Sequence, residues 1–181
     1  YMKICLIFIF IFFLLTGCSS KNKLENTTTH SNNIVSENFS GYTLHSDITG
    51  ASFYYPSSWT YFGNSQNPGY YSTDPSGLSI NFIAQEIDNN ITFEQFVENS
   101  IMQIKDTEVI LGEIKKENIN LNENSGYELS YIINKNDINI SVIQILMNKD
   151  NLIYLFTLGG PTELFNNYDN EINFIISSFK I

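Results

Sequence analysis

The chain has 181 residues, with nine lysines, no arginine and 19 acidic residues, for a net charge of −10 at pH 7. Nucleic acids and other polyanions are held through cationic patches, so neither is an expected partner. Both cysteines fall within the first eighteen residues, which leaves the rest of the chain without a thiol for a disulfide, a metal or a nucleophile.

Residues 4–15 (ICLIFIFIFFLL) form an unbroken apolar run behind Met2 and Lys3. As a helix the run reaches only about 18 Å, too short for roughly 30 Å of hydrocarbon. A basic start, a short apolar stretch and small residues at its end make up a secretory leader. Its ending, Leu15-Thr16-Gly17-Cys18, resembles the lipobox of bacterial lipoproteins. The resemblance implies a signal peptide at residues 1–17, cleavage before Cys18, and a diacylglycerol on the Cys18 thiol as the one covalent group expected. Palmitate is the kind of acyl chain expected on that anchor. Two acyl chains, at about 0.8 kcal/mol per buried methylene, make a stable anchor where one does not. The mature chain then carries eight lysines against 19 acidic residues, a charge of −11. Abundant Asn, Ile and Lys without Arg point to a low-GC genome, and so to the outer face of a Gram-positive cell membrane.

Residues 19–40 (SSKNKLENTTTHSNNIVSENFS) are rich in Ser, Thr and Asn and have no apolar period. They read as a flexible tether with a reach of about 26 Å, and His30 within it reads as a spacer. Residues 41–181 are one domain's worth of chain. An apolar strand at residues 51–55 ends at Pro56. A turn-rich patch at residues 63–77 follows, containing Asn67-Pro68-Gly69 and Asp74-Pro75-Ser76-Gly77. Leu78, Ile80, Phe82 and Ala84 then alternate with polar residues as a strand with one apolar face. Thr92 and Gln95 have the spacing of a capping box, and Phe93, Phe96, Val97, Ile101 and Ile104 form a helical stripe.

Residues 108–121, 127–134, 138–147 and 152–158 read as an antiparallel meander, the last two strands apolar on both faces. Such strands need cover on both sides. Residues 161–179 supply it as a helix opened by Pro161, with Leu164, Phe165, Tyr168, Ile172, Ile175, Ile176 and Phe179 on one face. The expected fold is α+β, an antiparallel sheet of about six strands sandwiched between helices.

Two motifs add a family resemblance. Phe53-Tyr54-Tyr55-Pro56-Ser57-Ser58-Trp59 is similar to the aromatic, Tyr-Pro, two residues, Trp opening of PsbP-like proteins, and FIISSFKI at residues 174–181 to their closing Ser-Phe helix. The family is named for an extrinsic photosystem II subunit and takes in a Ran-binding nuclear-import factor and secreted bacterial lipoproteins. The resemblance covers about residues 42–181 and implies an α/β/α sandwich with Trp59 in its core. It implies no activity, because the matching positions are mostly core positions.

Catalytic constellations are weak. A serine triad has only His45 to draw on in the domain, and no Gly-x-Ser-x-Gly turn exists. Gly159-Gly160 lacks the lysine of a phosphate loop. His45 and Asp47 share one face of a strand, but two ligands are too few for zinc, and there is no calcium loop. No catalytic residue, metal or cofactor is expected. One candidate surface stands out: Trp59, Tyr61, Phe62, Tyr70 and Tyr71 crowd a turn-like stretch, and exposed rings can stack on sugars or anchor a protein. Alternatively Trp59 and Phe53 pack under the first helix while Tyr61, Tyr70 and Tyr71 half-bury at the sheet edge. The expectation is therefore a monomeric, membrane-anchored, non-enzymatic binding or accessory module for a protein or carbohydrate partner, with a carboxylate-based surface hydrolase as the rival reading.

Overall fold

A computed structural model describes residues 40–63, 68–72, 76–88 and 90–181, which lie within one unit at residues 36–181. The leader, Cys18, His30 and the tether through residue 39 are outside the described residues. In chain order the strands and helices are β1 (Tyr42–Ser46), β2 (Ser52–Pro56), β3 (Thr60–Gly63), β4 (Pro68–Tyr71), β5 (Ser79–Glu86), α1 (Phe93–Thr107), β6 (Val109–Ile110), β7 (Lys115–Leu121), β8 (Asn124–Lys135), β9 (Ile138–Lys149), β10 (Leu152–Pro161), α2 (Thr162–Phe165) and α3 (Asp169–Ser178). Among the described residues, no helix is long and apolar enough to cross a membrane.

The meander is built on two-residue turns. Asn122 and Glu123, Asn136 and Asp137, and Asp150 and Asn151 all have positive φ, between 48° and 70°. That geometry is the type I′ turn, whose twist matches the flanking strands. The tight turns extend the strands: β8 starts at Asn124, where the sequence reads as a five-residue turn. The central strands pair as β5-β10-β9-β8 in an antiparallel sheet, with β3-β4 continuing one edge and β6 and β7 both pairing with β8 at the other. The sheet thus has eight strands, and β1 and β2 form a separate two-stranded sheet. The α+β sandwich is as expected, with more strands than the sequence shows because β3 and β4 are only four residues long and the strand expected at residues 108–121 is split into β6 and β7. The split falls between Ile110 and Lys115, where Gly112 has a φ of 86°.

Alternation assigns the two faces of the sheet. On one, Ile80, Phe82, Ile145, Met147, Tyr154, Phe156 and Leu158 form a core with Phe165, Ile172, Ile175 and Phe179 from the C-terminal helices and with Ala51 and Phe53 from the β1-β2 hairpin. On the other, Tyr127, Leu129, Tyr131 and Ile133 of β8 stand opposite Leu146, Gln144, Val142 and Ile140 of β9. This second face is α1's. The Phe93 ring lies 5.7 Å from the Tyr127 ring, and Phe96, Val97 and Ile104 are buried. Helix α1 begins at the expected capping box, Thr92 accepting from the Gln95 amide while the Gln95 side chain accepts from the Thr92 amide.

Two expectations need correction. The C-terminal helix is not continuous, because residues 166–168 form a 3₁₀ turn between α2 and α3, and Phe179 enters the core from extended backbone beyond the helix. Phe53 and Trp59 pack with the C-terminal helices instead of under α1. The reason is a tertiary link at the chain's end. Ser52 and Lys180 exchange backbone hydrogen bonds of 2.9 and 2.8 Å, the Tyr54 amide donates to Ser178 Oγ at 2.9 Å, and Phe179 stacks on Phe156 with centroids 5.0 Å apart.

Candidate functional site

The five aromatic residues singled out in the sequence part company in the fold. Trp59 is 6% exposed and Tyr70 5%, whereas Tyr61 is 50% and Tyr71 36% exposed; Phe62 is half-buried. The β3-β4 register decides this outcome. Tyr61 pairs with Tyr70 and Tyr70 with Ile80, so both tyrosines point to the face carrying the β1-β2 hairpin. There Tyr55 stacks on Tyr70 at 3.8 Å, and Tyr61 meets it edge-on at 5.4 Å. Phe62 and Tyr71 share the opposite face, 5.8 Å apart. Gly69 lets the Phe62 ring lie directly against the β4 backbone, and a Cβ there would push that ring aside. The five residues therefore do not make one surface: Tyr61 lies on the hairpin face against the buried Tyr70, and Phe62 and Tyr71 lie together on the other face of this end of the sheet, while Trp59 and Tyr70 belong to the core. Burial of the Tyr70 hydroxyl, with Tyr55 beside it, pushes its pKa up, so it stays protonated.

His45 and Asp47 do not converge on a common ligand. His45 Nδ1 is 2.7 Å from the Tyr70 hydroxyl, its ring stacks on Phe53 at 4.7 Å, and its buried Nε2 has no hydrogen-bond partner among the described residues. Burial holds its pKa below the usual histidine value, against a smaller upward pull from Asp47. Asp47 is engaged locally, accepting from the backbone amide and hydroxyl of Thr49. Among the described residues no three His, Cys, Asp or Glu side chains group as a metal site.

Carboxylates do come together at the other edge of the sheet, a constellation the sequence reading did not find. Lys116 of β7 donates to Glu94, and to Glu98 at 2.7 Å, while the Tyr127 hydroxyl donates to Glu94. Lys116 Nζ also lies 4.4 Å from the Tyr127 ring centroid. The bonds from Lys116 and Tyr127 hold the Glu94 pKa below the ordinary carboxylate value. Glu94 and Glu98 sit four apart on α1, a spacing that puts both on one helix face. Their meeting with Lys116 depends on how β7 lies against that helix, which no local pattern encodes. Across the β7-β8 pair, Glu117 stands opposite Glu128; burial first, and Glu117 second, raise the Glu128 pKa.

Comparison with protein-family models finds no match, and comparison with curated proteins finds none either. Solved structures do match. The cyanobacterial PsbP from Synechocystis superposes with a TM-score of 0.60 at 13% identity, over 83% of this chain and 98% of that one. LpqN of Mycobacterium tuberculosis, described as involved in cell envelope biogenesis, gives 0.56 at 14% identity over 72% and 82%. The Ran-binding protein Mog1p of Saccharomyces cerevisiae gives 0.51 at 9% identity over 77% and 95%. The chain therefore has the PsbP-like α/β sandwich fold that the motifs at residues 53–59 and 174–181 resemble. At such identities the likeness shows the fold alone.

Proposed function

We propose that this protein is a lipid-anchored, extracytoplasmic accessory module that works by binding and not by catalysis. The observation that carries the binding role is the β3-β4 end of the sheet, where, among the described residues, Tyr71 beside Phe62 on one face and Tyr61 on the other leave their rings partly exposed. Rings in that position present large, rigid contact area at low entropic cost. Placement outside the cell rests on Leu15-Thr16-Gly17-Cys18, with a diacylglycerol on Cys18. The fold shared with LpqN, an envelope biogenesis protein, supports that address. The partner, a protein or carbohydrate, would meet the domain near the outer face of the membrane, from a Gram-positive cell on the evidence of composition.

A carboxylate-based surface hydrolase would need one protonated carboxyl as general acid and a second, free carboxylate as nucleophile or as base toward water. Glu94 and Glu98 are instead both committed to Lys116, and the depressed pKa of Glu94 disfavours the protonated form a general acid needs.

Two measurements test the proposal separately. Cells fed labelled fatty acid should label the native chain and not Cys18→Ala; label retained by the variant would remove the anchor. A photo-crosslinking residue at position 71, on intact cells, should capture one discrete species that is lost when Phe62, on the same face, is replaced by Ser. Capture of nothing above background would remove the binding edge.

A further inference from the structure

We propose a second site, independent of the β3 edge: the cavity beside the tip of the β7-β8 hairpin binds an uncharged saccharide. It is an open depression of about 330 Å³ in which Asn118, Asn120 and Ser125 are solvent-exposed, lined in part also by Phe93 and Tyr127. Strand register assembles it. Asn118 pairs with Tyr127 and Asn120 with Ser125, so these four side chains share the α1 face, and the first residue of α1, Phe93, brings a second ring to within 5.7 Å of Tyr127. Sheet order puts β7 and β3 at opposite edges, so the site owes nothing to Tyr61, Phe62 or Tyr71.

The lining has the chemistry of a sugar site. A pyranose presents a C–H face, which packs on aromatic rings, and a rim of hydroxyls that both donate and accept. Carboxamides carry a donor and an acceptor side by side and match neighbouring hydroxyls on such a rim. Phe93 and Tyr127 supply the rings, Asn118 and Asn120 the carboxamides, and Ser125 a hydroxyl 2.7 Å from Asn120 Oδ1. The volume is at the small end of the range for small-molecule sites, which suits one or two sugar rings.

The site is also held in advance of binding. The Tyr127 hydroxyl is fixed on Glu94, Lys116 Nζ lies 4.4 Å from its ring centroid on one face only, and Lys116 is itself clamped by Glu94 and Glu98. A ring so fixed loses little freedom when a ligand arrives. Charge argues for a neutral ligand. No charged side chain lines the cavity, the neighbouring carboxylates are occupied by Lys116, and a chain with a net charge of −10 repels anionic sugars.

The test is a titration of the full chain with cellobiose and with N,N′-diacetylchitobiose, followed by side-chain amide and aromatic NMR. A heparin disaccharide serves as the anionic control. One neutral disaccharide should bind saturably at up to millimolar concentration, shifting the Asn118 and Asn120 amides, and the control should not. Asn118→Ala should weaken binding about tenfold, the loss of one good hydrogen-bonded contact, and Tyr127→Ala should abolish it. Unchanged Trp59 emission will show that each variant is folded. Retention on insoluble chitin, run in parallel, distinguishes a polymer from a free sugar as the natural source. No saturable binding of either disaccharide, or binding that survives both substitutions in folded protein, would overturn the proposal.

Discussion

Trp59 is the only tryptophan, so its emission reports one position, and that position is 6% exposed. Emission from the folded chain should be blue-shifted and resistant to aqueous quenchers. Trp59→Ala should cost about 3–5 kcal/mol of stability in a denaturant titration, the usual penalty for emptying a large aromatic site. Solvent-like emission would put Trp59 back on the surface. His45 carries the second residue-scale prediction. Its folded pKa lies below the ordinary 6.5, with burial the main cause. The fold therefore favours the neutral ring, and the stability this contributes is fully present above pH 6.5 and lost as pH falls through the lower folded value. Thermal melts of the native chain should show stability declining as pH drops below 6.5, and His45→Gln should show a shallower decline. Equal slopes for the two proteins would exclude His45 as the titrating group.

At the scale of the element, the turns are informative. All three type I′ turns use non-glycine residues at both central positions, although the second favours glycine. Glu123, at a φ of 70°, has no short side chain to ease that conformation as Asn does. Glu123→Gly should raise stability by about 1 kcal/mol, the usual cost of a left-handed non-glycine residue, and the shift in denaturant midpoint measures it. No gain would mean that the turn is already relaxed. Asn122 in the same turn has further work. Its side chain donates to the backbone carbonyls of Phe179 at 2.8 Å and Ser177 at 3.3 Å, so this hairpin helps to hold the chain's end. The sequence shows Asn122 as a turn residue, which is true locally, and gives no sign of the second duty, which depends on a contact 57 residues away.

At the scale of the molecule, the sheet is covered on both faces, and the larger core joins the β1-β2 hairpin, both halves of the main sheet and the C-terminal helices. Ends and middle are thus cooperative by construction: removing Phe179 would empty a site that Phe82 and Phe156 share. Residues 41–181 expressed alone should melt in one transition at a temperature that a chelator leaves unchanged, since burial of apolar surface supplies the stability. A chelator-induced fall of many degrees, reversed by calcium or zinc, would show that the acidic residues hold a structural cation.

Periodicity by itself determined the architecture. The capping box, the α1 stripe and the doubly apolar strands β9 and β10 are short-range patterns, and short-range patterns report burial directly. The motif at residues 53–59 and the closing Ser-Phe likewise proved to be parts of one packing arrangement, with Phe53, Trp59 and Phe179 in a single core. Tertiary structure alone decided which aromatics are surface and which core. Tyr70 and Tyr71 are neighbours of the same type, and only the register of β4 on β5 sends one inward and the other out. Tertiary structure also decided that Phe93, Asn118 and Tyr127 meet at all. The meander already makes Asn118 and Tyr127 neighbours in one hairpin, but Phe93 lies on a separate element and reaches them only through the seating of α1 over the sheet. A pattern along the chain records which side of an element is buried; what stands beside it in space depends on pairings that the pattern does not contain.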